Sequence, residues 1–116
     1  MTLPVGEFGA FPTVERPRVI WVGCEGVPPL ELLQHRLELG MEPLGFPIEG
    51  RAFRPHLTLG RVKKEARPSA LRGLAPLLAG LDFQGETLVK SIELMESIQG
   101  PKASHYRPVH SATLKD

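Results

Sequence analysis

The sequence has one cysteine, few aromatic residues and no large excess of charge of either sign. Cys24 is the only cysteine among 116 residues, which excludes an internal disulfide framework and a thiolate cluster for zinc. A lone cysteine is typical of a reducing compartment, so we expect a cytoplasmic location. No basic segment followed by an apolar core opens the chain, and no apolar run is long enough to cross a membrane.

The formal net charge is only +1, and the sequence therefore lacks the strong basic excess of a bulk duplex binder. Positive charge is concentrated locally instead. A cluster of cations, which we call the basic span, falls within one short part of the chain and would create a positive field suited to an anionic ligand. Its members are Arg51, Arg54, Arg61, Lys63, Lys64 and Arg67.

Hydrophobic periodicity predicts an α+β fold with antiparallel sheets and two helices on their outer faces. Leucines recur at helical spacing in both predicted helices, and Gly73 and Pro76 should kink or divide the second one. The predicted elements are strands over Gly6–Phe11 and Arg18–Gly23, a helix over Pro28–Met41, a strand over Phe53–Lys63, a helix from Ser69, as its cap, to about Leu81, and strands over Leu88–Ser97 and His105–Leu114.

A His-x-Thr motif lies inside the third predicted strand. Because strand side chains alternate between faces, His56 and Thr58 should point the same way, with Leu57 and Leu59 on the other side. An imidazole can act as acid or base near neutral pH, and a hydroxyl beside it can hold a phosphate oxygen. The pair is half of a site for phosphate chemistry, since the motif occurs once only.

Other residues offer weaker candidates for chemistry. His35 is expected on a helix surface, His105 flanks the last turn, and His110 is followed by alanine where the motif requires threonine. The histidines lack the close ligand spacing of a metal site, and no serine stands in a Gly-x-Ser-x-Gly elbow. Cys24 directly follows a strand, which is more typical of a small apolar residue than of a nucleophile.

Three segments together resemble the RNA 2',3'-cyclic phosphodiesterase family, also called 2'-5' RNA ligases, of the two-histidine (2H) phosphoesterase superfamily. The similarity lies in Gly9-Ala-Phe-Pro12, in Pro17-Arg-Val-Ile-Trp-Val-Gly23 and in Phe53-Arg-Pro-His-Leu-Thr-Leu-Gly-Arg-Val-Lys63, and a closing hairpin from Ile92 to Tyr106 also fits. The ordered set is considerably more specific than the His-x-Thr motif alone.

The resemblance implies a bilobal fold with two His-x-Thr motifs facing one another across a cleft, acting without metal or other cofactor. His56 and Thr58 match the second motif, His56 as the base and Thr58 as a phosphate ligand. Arg61 matches an arginine that stabilises charge on the phosphate, and Phe11 an aromatic residue that stacks on the terminal base. Strict alternation would put Arg61 on the face opposite His56, unless twist, its long reach or a bulge at Gly60 brings it round.

The family pattern also has a strand, a helix and a first His-x-Thr strand before the region that matches here. We therefore expect residues 1–116 to form a single, shortened domain equivalent to the C-terminal portion of that fold. Three hypotheses follow. The first is a phosphodiesterase acting on RNA 3' ends or nucleotides that carry a cyclic phosphate, with only the second His-x-Thr half-site present and catalysis lost or severely weakened. The others are a noncatalytic module that binds such ends, and a homodimer formed through the exposed incomplete lobe.

Overall fold

The computed structural model describes residues 1–101 and 104–115, and its contacts divide them into two compact units. One unit comprises residues 3–87 and holds every residue of the predicted site. The other comprises residues 1–2 together with the chain from residue 88 onward. The predicted α+β class with antiparallel pairing is confirmed, whereas the assignment of residues 1–116 to a single domain stays a prediction.

A four-stranded sheet organises the larger unit. Its strands are β1 (Thr2–Pro12), β2 (Pro17–Cys24), β3 (His56–Arg61) and β4 (Gln84–Leu88), in the spatial order β3-β2-β1-β4. Both β1 and β3 pair antiparallel with β2. The β-branched and aromatic residues of β2 suit this central position, because both of its edges are paired.

The apolar core lies on one face of this sheet. Leu3, Val5, Ala10 and Val22 are buried, and the alternation of β1 and β2 puts Ala10 and Val22 on the same side. Leu78, on the second helix, is buried as well. The opposite face carries the predicted site and is described below.

Three irregularities interrupt the pairing of β2 with its neighbours, and one of them, between Phe11 and Pro12, lies at the end of β1. On β1 the register shifts between Gly6 and Phe8, which leaves Glu7 as an extra residue, and its φ of 62° is left-handed. On β3 the register shifts because Ile20 pairs with Gly60 while Trp21 pairs with Thr58, so Leu59 is the extra residue. Each shift is a β-bulge, which resets the alternation of side chains beyond it.

The first helix, α1, spans Pro28–Met41, as the periodicity predicts. Prolines at its first two positions suit a helix start, because the first N–H groups of a helix have no partner within it. A short 3-10 turn over Glu42–Leu44 follows and ends at Gly45, whose φ of 99° favours glycine. No residue of α1 is fully buried, and Leu37 of its predicted apolar face is exposed.

The second predicted helix is divided in two, as Gly73 led us to expect. A 3-10 turn covers Pro68–Leu71 and α2 covers Leu74–Gly80, with Gly73 as the cap of α2. Ser69 therefore lies inside the 3-10 turn, and its prediction as the helix cap is wrong. Leu77 is 62% exposed, so only part of the predicted apolar face is covered.

The smaller unit is built on a hairpin of β5 (Ser91–Gln99) and β6 (Ser104–Thr113). The backbone of Met1 accepts a hydrogen bond of 2.7 Å from the N–H of Val89. Arg107 and Glu96 form an ion pair at 2.7 Å across the hairpin. The predicted strand over Leu88–Ser97 is thus wrong at its start, because Leu88 ends β4 and β5 begins at Ser91.

Candidate active site

The face of the four-stranded sheet opposite the core, which we call the histidine face, carries all four predicted site residues. Residues directly opposite one another in a ladder share a face. His56 pairs with Gly23 and Thr58 pairs with Trp21. Gly23 and Trp21 are two residues apart on β2, so the structure places His56 and Thr58 side by side, as the spacing of the motif predicts.

Hydrogen bonding determines which nitrogen of the His56 ring is free. Nδ1 lies 2.7 Å from the carbonyl oxygen of Arg54. A carbonyl can only accept a hydrogen bond, so Nδ1 must carry the proton and donate it. In the neutral ring Nε2 then holds the lone pair, and the His56 side chain is exposed. Nε2 is therefore available to take or give a proton at the surface.

Two aromatic rings contact the imidazole. The Phe11 ring is edge-on to His56, with centroids 5.1 Å apart, and the Trp21 ring lies 6.3 Å away. Phe11 and Trp21 also contact each other at 5.0 Å. His56 is thus bordered by aromatic rather than aliphatic neighbours, and its ring remains open to solvent.

Gly9 provides the space in which the Trp21 ring lies. Gly9 is directly opposite Trp21 in the ladder, and a Cβ on Gly9 would stand 2.5 Å from two atoms of the indole. The indole N–H is buried and has no hydrogen-bond partner among the described residues, an arrangement that typically costs about 1–3 kcal/mol. Sequence reasoning missed this pair, because only the register of β1 against β2 brings the two residues together.

Arg61 lies on the histidine face because of the bulge at Leu59. It pairs with Val19, which alternates with Trp21 and Gly23 on β2. Without the extra residue, Arg61 would fall on the core side of the sheet. A bulge at Gly60 was one of three ways in which the sequence allowed Arg61 to reach this face, and the bulge lies one residue earlier, at Leu59.

The basic span precedes, includes and follows β3 along the chain, and Arg61 is its member on the histidine face. Its six cations are all exposed, and within the described part of the chain none of them has an ion-pair partner. Exposed cations of one sign raise the local concentration of anions. The electrostatics of the region therefore suit a phosphate ligand.

The remaining candidates lie elsewhere. His35 is exposed on α1, and His105 and His110 are exposed on β6. Cys24 is a free, half-buried thiol at the end of β2, and burial raises the pKa of its thiol, which disfavours the nucleophilic thiolate. None of these three histidines belongs to a strand of the four-stranded sheet.

An open depression of about 670 Å³ lies near the ends of β1, β2 and β4, lined by Gly6, Gly23, Gly85 and neighbouring residues. His56 and Thr58 are not among its lining residues. No imidazole, hydroxyl or cation lines this depression, so it lacks the groups that act on a phosphate, whereas the exposed histidine face has them.

Among residues 1–101 and 104–115, no group of three or more His, Cys, Asp or Glu side chains could hold a metal ion. In the same residues, no helix combines the length and the apolar character needed to span a bilayer.

Comparison with known proteins gives a consistent result. Residues 1–101 match the family model described as the 2'-5' RNA ligase superfamily. An RNA 2',3'-cyclic phosphodiesterase of Aeropyrum pernix is 38% identical over 97 residues, which cover 80% of this chain and 54% of that protein. One of Archaeoglobus fulgidus is 33% identical over 99 residues, covering 85% and 54% respectively.

The fold has a counterpart of known structure. The protein TT0787 of Thermus thermophilus superposes with a TM-score of 0.74 at 25% sequence identity. The match covers 98% of this chain and 60% of that one. The chain thus spans about half the length of the curated relatives that it matches.

Proposed function

Since the chain belongs to the 2'-5' RNA ligase superfamily, we propose that it contributes the second half-site of an RNA 2',3'-cyclic phosphodiesterase. The substrate would be an RNA 3' end or a nucleotide that carries a 2',3'-cyclic phosphate. The product would be a 2'-phosphate. The proposal rests on the hydrogen bond of 2.7 Å that His56 Nδ1 donates to the Arg54 carbonyl. This bond leaves Nε2 free on the exposed side chain of His56, on the face shared with Thr58.

The half-site accounts for one side of the reaction. His56 Nε2 takes a proton from water, the water oxygen bonds to phosphorus, and the bond from phosphorus to the 3' oxygen breaks. That oxygen must receive a proton from an acid, a role that the family resemblance gives to the histidine of the first His-x-Thr motif, the counterpart of His56. Thr58 donates a hydrogen bond from its hydroxyl to a phosphate oxygen, and Arg61 stabilises the negative charge.

Recognition of the RNA end would use sequence-independent contacts. The Phe11 ring, half-buried on the histidine face, would stack on the terminal base, a contact that tolerates any base. The basic span would attract the phosphate backbone. We also propose a cytoplasmic location, consistent with the free thiol of Cys24.

A cyclic-phosphate oligonucleotide tests this function. The chain should convert it to the 2'-phosphate product, and His56→Ala should lower the rate by about 10²-fold to 10⁴-fold, the usual contribution of acid–base catalysis. His35→Ala is the matched control, because His35 is also an exposed histidine but lies on α1 rather than on β3. Turnover that persists in His56→Ala would exclude His56 from the mechanism.

A noncatalytic role is the alternative, and the same oligonucleotide separates it. Binding without product, weakened by Arg61→Ala or Phe11→Ala, would identify a module that holds RNA ends. The matched control is Arg72→Ala, which removes an exposed cation that lies outside the basic span. Equal weakening by both arginine variants would point to charge alone rather than to the histidine face.

Self-association is a second possibility that a specific observation favours. In the described sheet β3 and β4 are edge strands, and an unpaired edge is a template for another chain. We propose that two copies could associate as a homodimer and bring two His56 motifs together. Turnover that decreases on dilution in parallel with the dimer fraction would support this arrangement. A monomer that retains turnover would contradict it.

A further inference from the structure

Trp21 has no part in the proposed reaction, yet it lies at the centre of the histidine face. It pairs with Thr58, contacts both Phe11 and His56, and occupies the space left by Gly9. The apolar core of the larger unit lies on the opposite face, where Ala10 and Val22 are buried. The position of Trp21 is therefore not explained by packing into that core.

We propose that Trp21 is a positioning residue for His56. The indole, seated on Gly9 and braced by Phe11, holds the imidazole in the orientation in which Nδ1 donates to Arg54 and Nε2 faces solvent. This inference rests on the proposed function only for its catalytic consequence. The orientation of the ring can be measured without any turnover.

A second constraint on the His56 ring is needed because the hydrogen bond to Arg54 fixes one atom only. A ring held through Nδ1 can still tilt about that bond, and the side chain is exposed. Contacts with Phe11 at 5.1 Å and Trp21 at 6.3 Å restrict the plane of the imidazole. Both separations lie in the range of interacting aromatic pairs, about 4.5–7 Å.

The buried indole N–H supports the same conclusion. Trp21 Nε1 has no acceptor among the described residues, whereas buried tryptophan N–H groups usually have one. A phenylalanine at this position would avoid the unpartnered donor. The residue is thus best explained by the area and placement of its larger ring, which reaches from Gly9 toward His56.

Three variants test the proposal. Trp21→Leu removes the ring, Trp21→Phe keeps a smaller ring without the N–H, and Gly9→Ala displaces the indole without altering it, because the new Cβ would stand 2.5 Å from the ring. Gly40→Ala is the control, since nothing lies within 4 Å of a Cβ at that position. Dispersed amide spectra establish which variants are folded.

The readout is the tautomer of His56, followed by ¹⁵N NMR of the imidazole in the full chain and assigned by comparison with His56→Gln. The parent and Gly40→Ala should show the form protonated at Nδ1. Trp21→Leu and Gly9→Ala should show an averaged mixture of the two tautomers. Trp21→Phe, whose smaller ring reaches less far toward His56, should fall between that mixture and the parent form. Should Trp21→Leu not fold, Gly9→Ala and Trp21→Phe still provide the comparison.

Kinetics supply an independent measurement. If the chain turns over the cyclic-phosphate oligonucleotide, Gly9→Ala should lower kcat by about tenfold to a hundredfold, as expected when a catalytic group is misplaced by about 1 Å. KM should change by less than kcat, because the proposed reaction assigns the indole no contact with the substrate. An unchanged tautomer in a folded Trp21→Leu or Gly9→Ala would overturn the proposal even with an active parent. If the His56 tautomer changes in the Trp21 variants but the parent chain shows no turnover, the positioning role of Trp21 is supported and the proposed reaction is not.

Discussion

At the scale of single residues, proton transfer on the histidine face depends on one nitrogen of the His56 ring, Nε2. The Arg54 carbonyl holds the Nδ1 proton of His56, so only Nε2 can exchange protons with a ligand. Alternation along the strand predicts the shared face of His56 and Thr58 correctly. It could not reveal the hydrogen bond to Arg54, which depends on the path of the chain before β3.

Cys24 provides a test of reactivity at this scale. Burial raises the pKa of its thiol, so the protonated form persists to higher pH than in an exposed cysteine. Because the thiolate is the reacting form, we expect alkylation by iodoacetamide at pH 7 to be slower than for a cysteine in a short peptide. The rate should rise as the pH increases through and above the usual range for a thiol.

Mass spectrometry of the alkylated chain measures this rate, with the protein denatured in urea as the control. Unfolding removes the burial, so the denatured chain should react as fast as the peptide. A folded chain that reacts faster than the peptide at pH 7 would contradict the expectation and indicate an activated cysteine.

At the scale of elements, the bulge on β3 decides which side of the sheet Arg61 occupies. Alternation alone assigns Arg61 to the core side, and the extra residue Leu59 reverses that assignment. A bulge depends on how two paired strands are aligned, and the sequence of one strand does not determine that alignment. The sequence of β3 contains only a glycine, Gly60, that is compatible with a bulge. The sequence could therefore offer the bulge as one possibility among others.

The strand β4 was missed for a different reason. Its sequence, Gln84–Leu88, contains a glycine and three polar residues before its leucine, which is weak evidence for a strand. It forms because the edge of β1 is available for pairing. Conversely, α1 was predicted with correct bounds, since two prolines begin it and a regular leucine spacing continues through it.

The helix α2 allows a paired test of packing. Leu78 is 8% exposed, whereas its neighbour Leu77 is 62% exposed. Leu78→Ala should lower the free energy of unfolding by about 2–3 kcal/mol, the lower part of the usual range, because the core is small. Leu77→Ala should change it by less than about 0.5 kcal/mol.

Urea unfolding followed by circular dichroism provides both values under identical conditions. Leu77→Ala is the matched control, since it makes the same chemical change one position away on the same helix. Equal destabilisation by the two substitutions would show that Leu78 is no more buried than Leu77 in solution.

At the scale of the whole molecule, the chain spans about half the length of the relatives it matches and leaves many large apolar side chains exposed. In the hairpin of the smaller unit, Leu94 is 56% exposed and Ile98 is 44% exposed. Alternation along β5 places these two residues on the same face. Exposed apolar surface of this kind favours association with another protein surface.

We therefore expect the isolated chain to self-associate as its concentration rises, with the weight-average mass in sedimentation increasing above 12.8 kDa. Leu94→Lys should shift this association to about tenfold higher concentration, because burying the new charge without a partner is unfavourable and about 1.4 kcal/mol corresponds to tenfold. Ser97→Lys adds the same charge on the opposite face of β5 and should leave association unchanged. A parent chain that stays at 12.8 kDa throughout, or an equal effect of both lysines, would show that this hairpin face does not drive association.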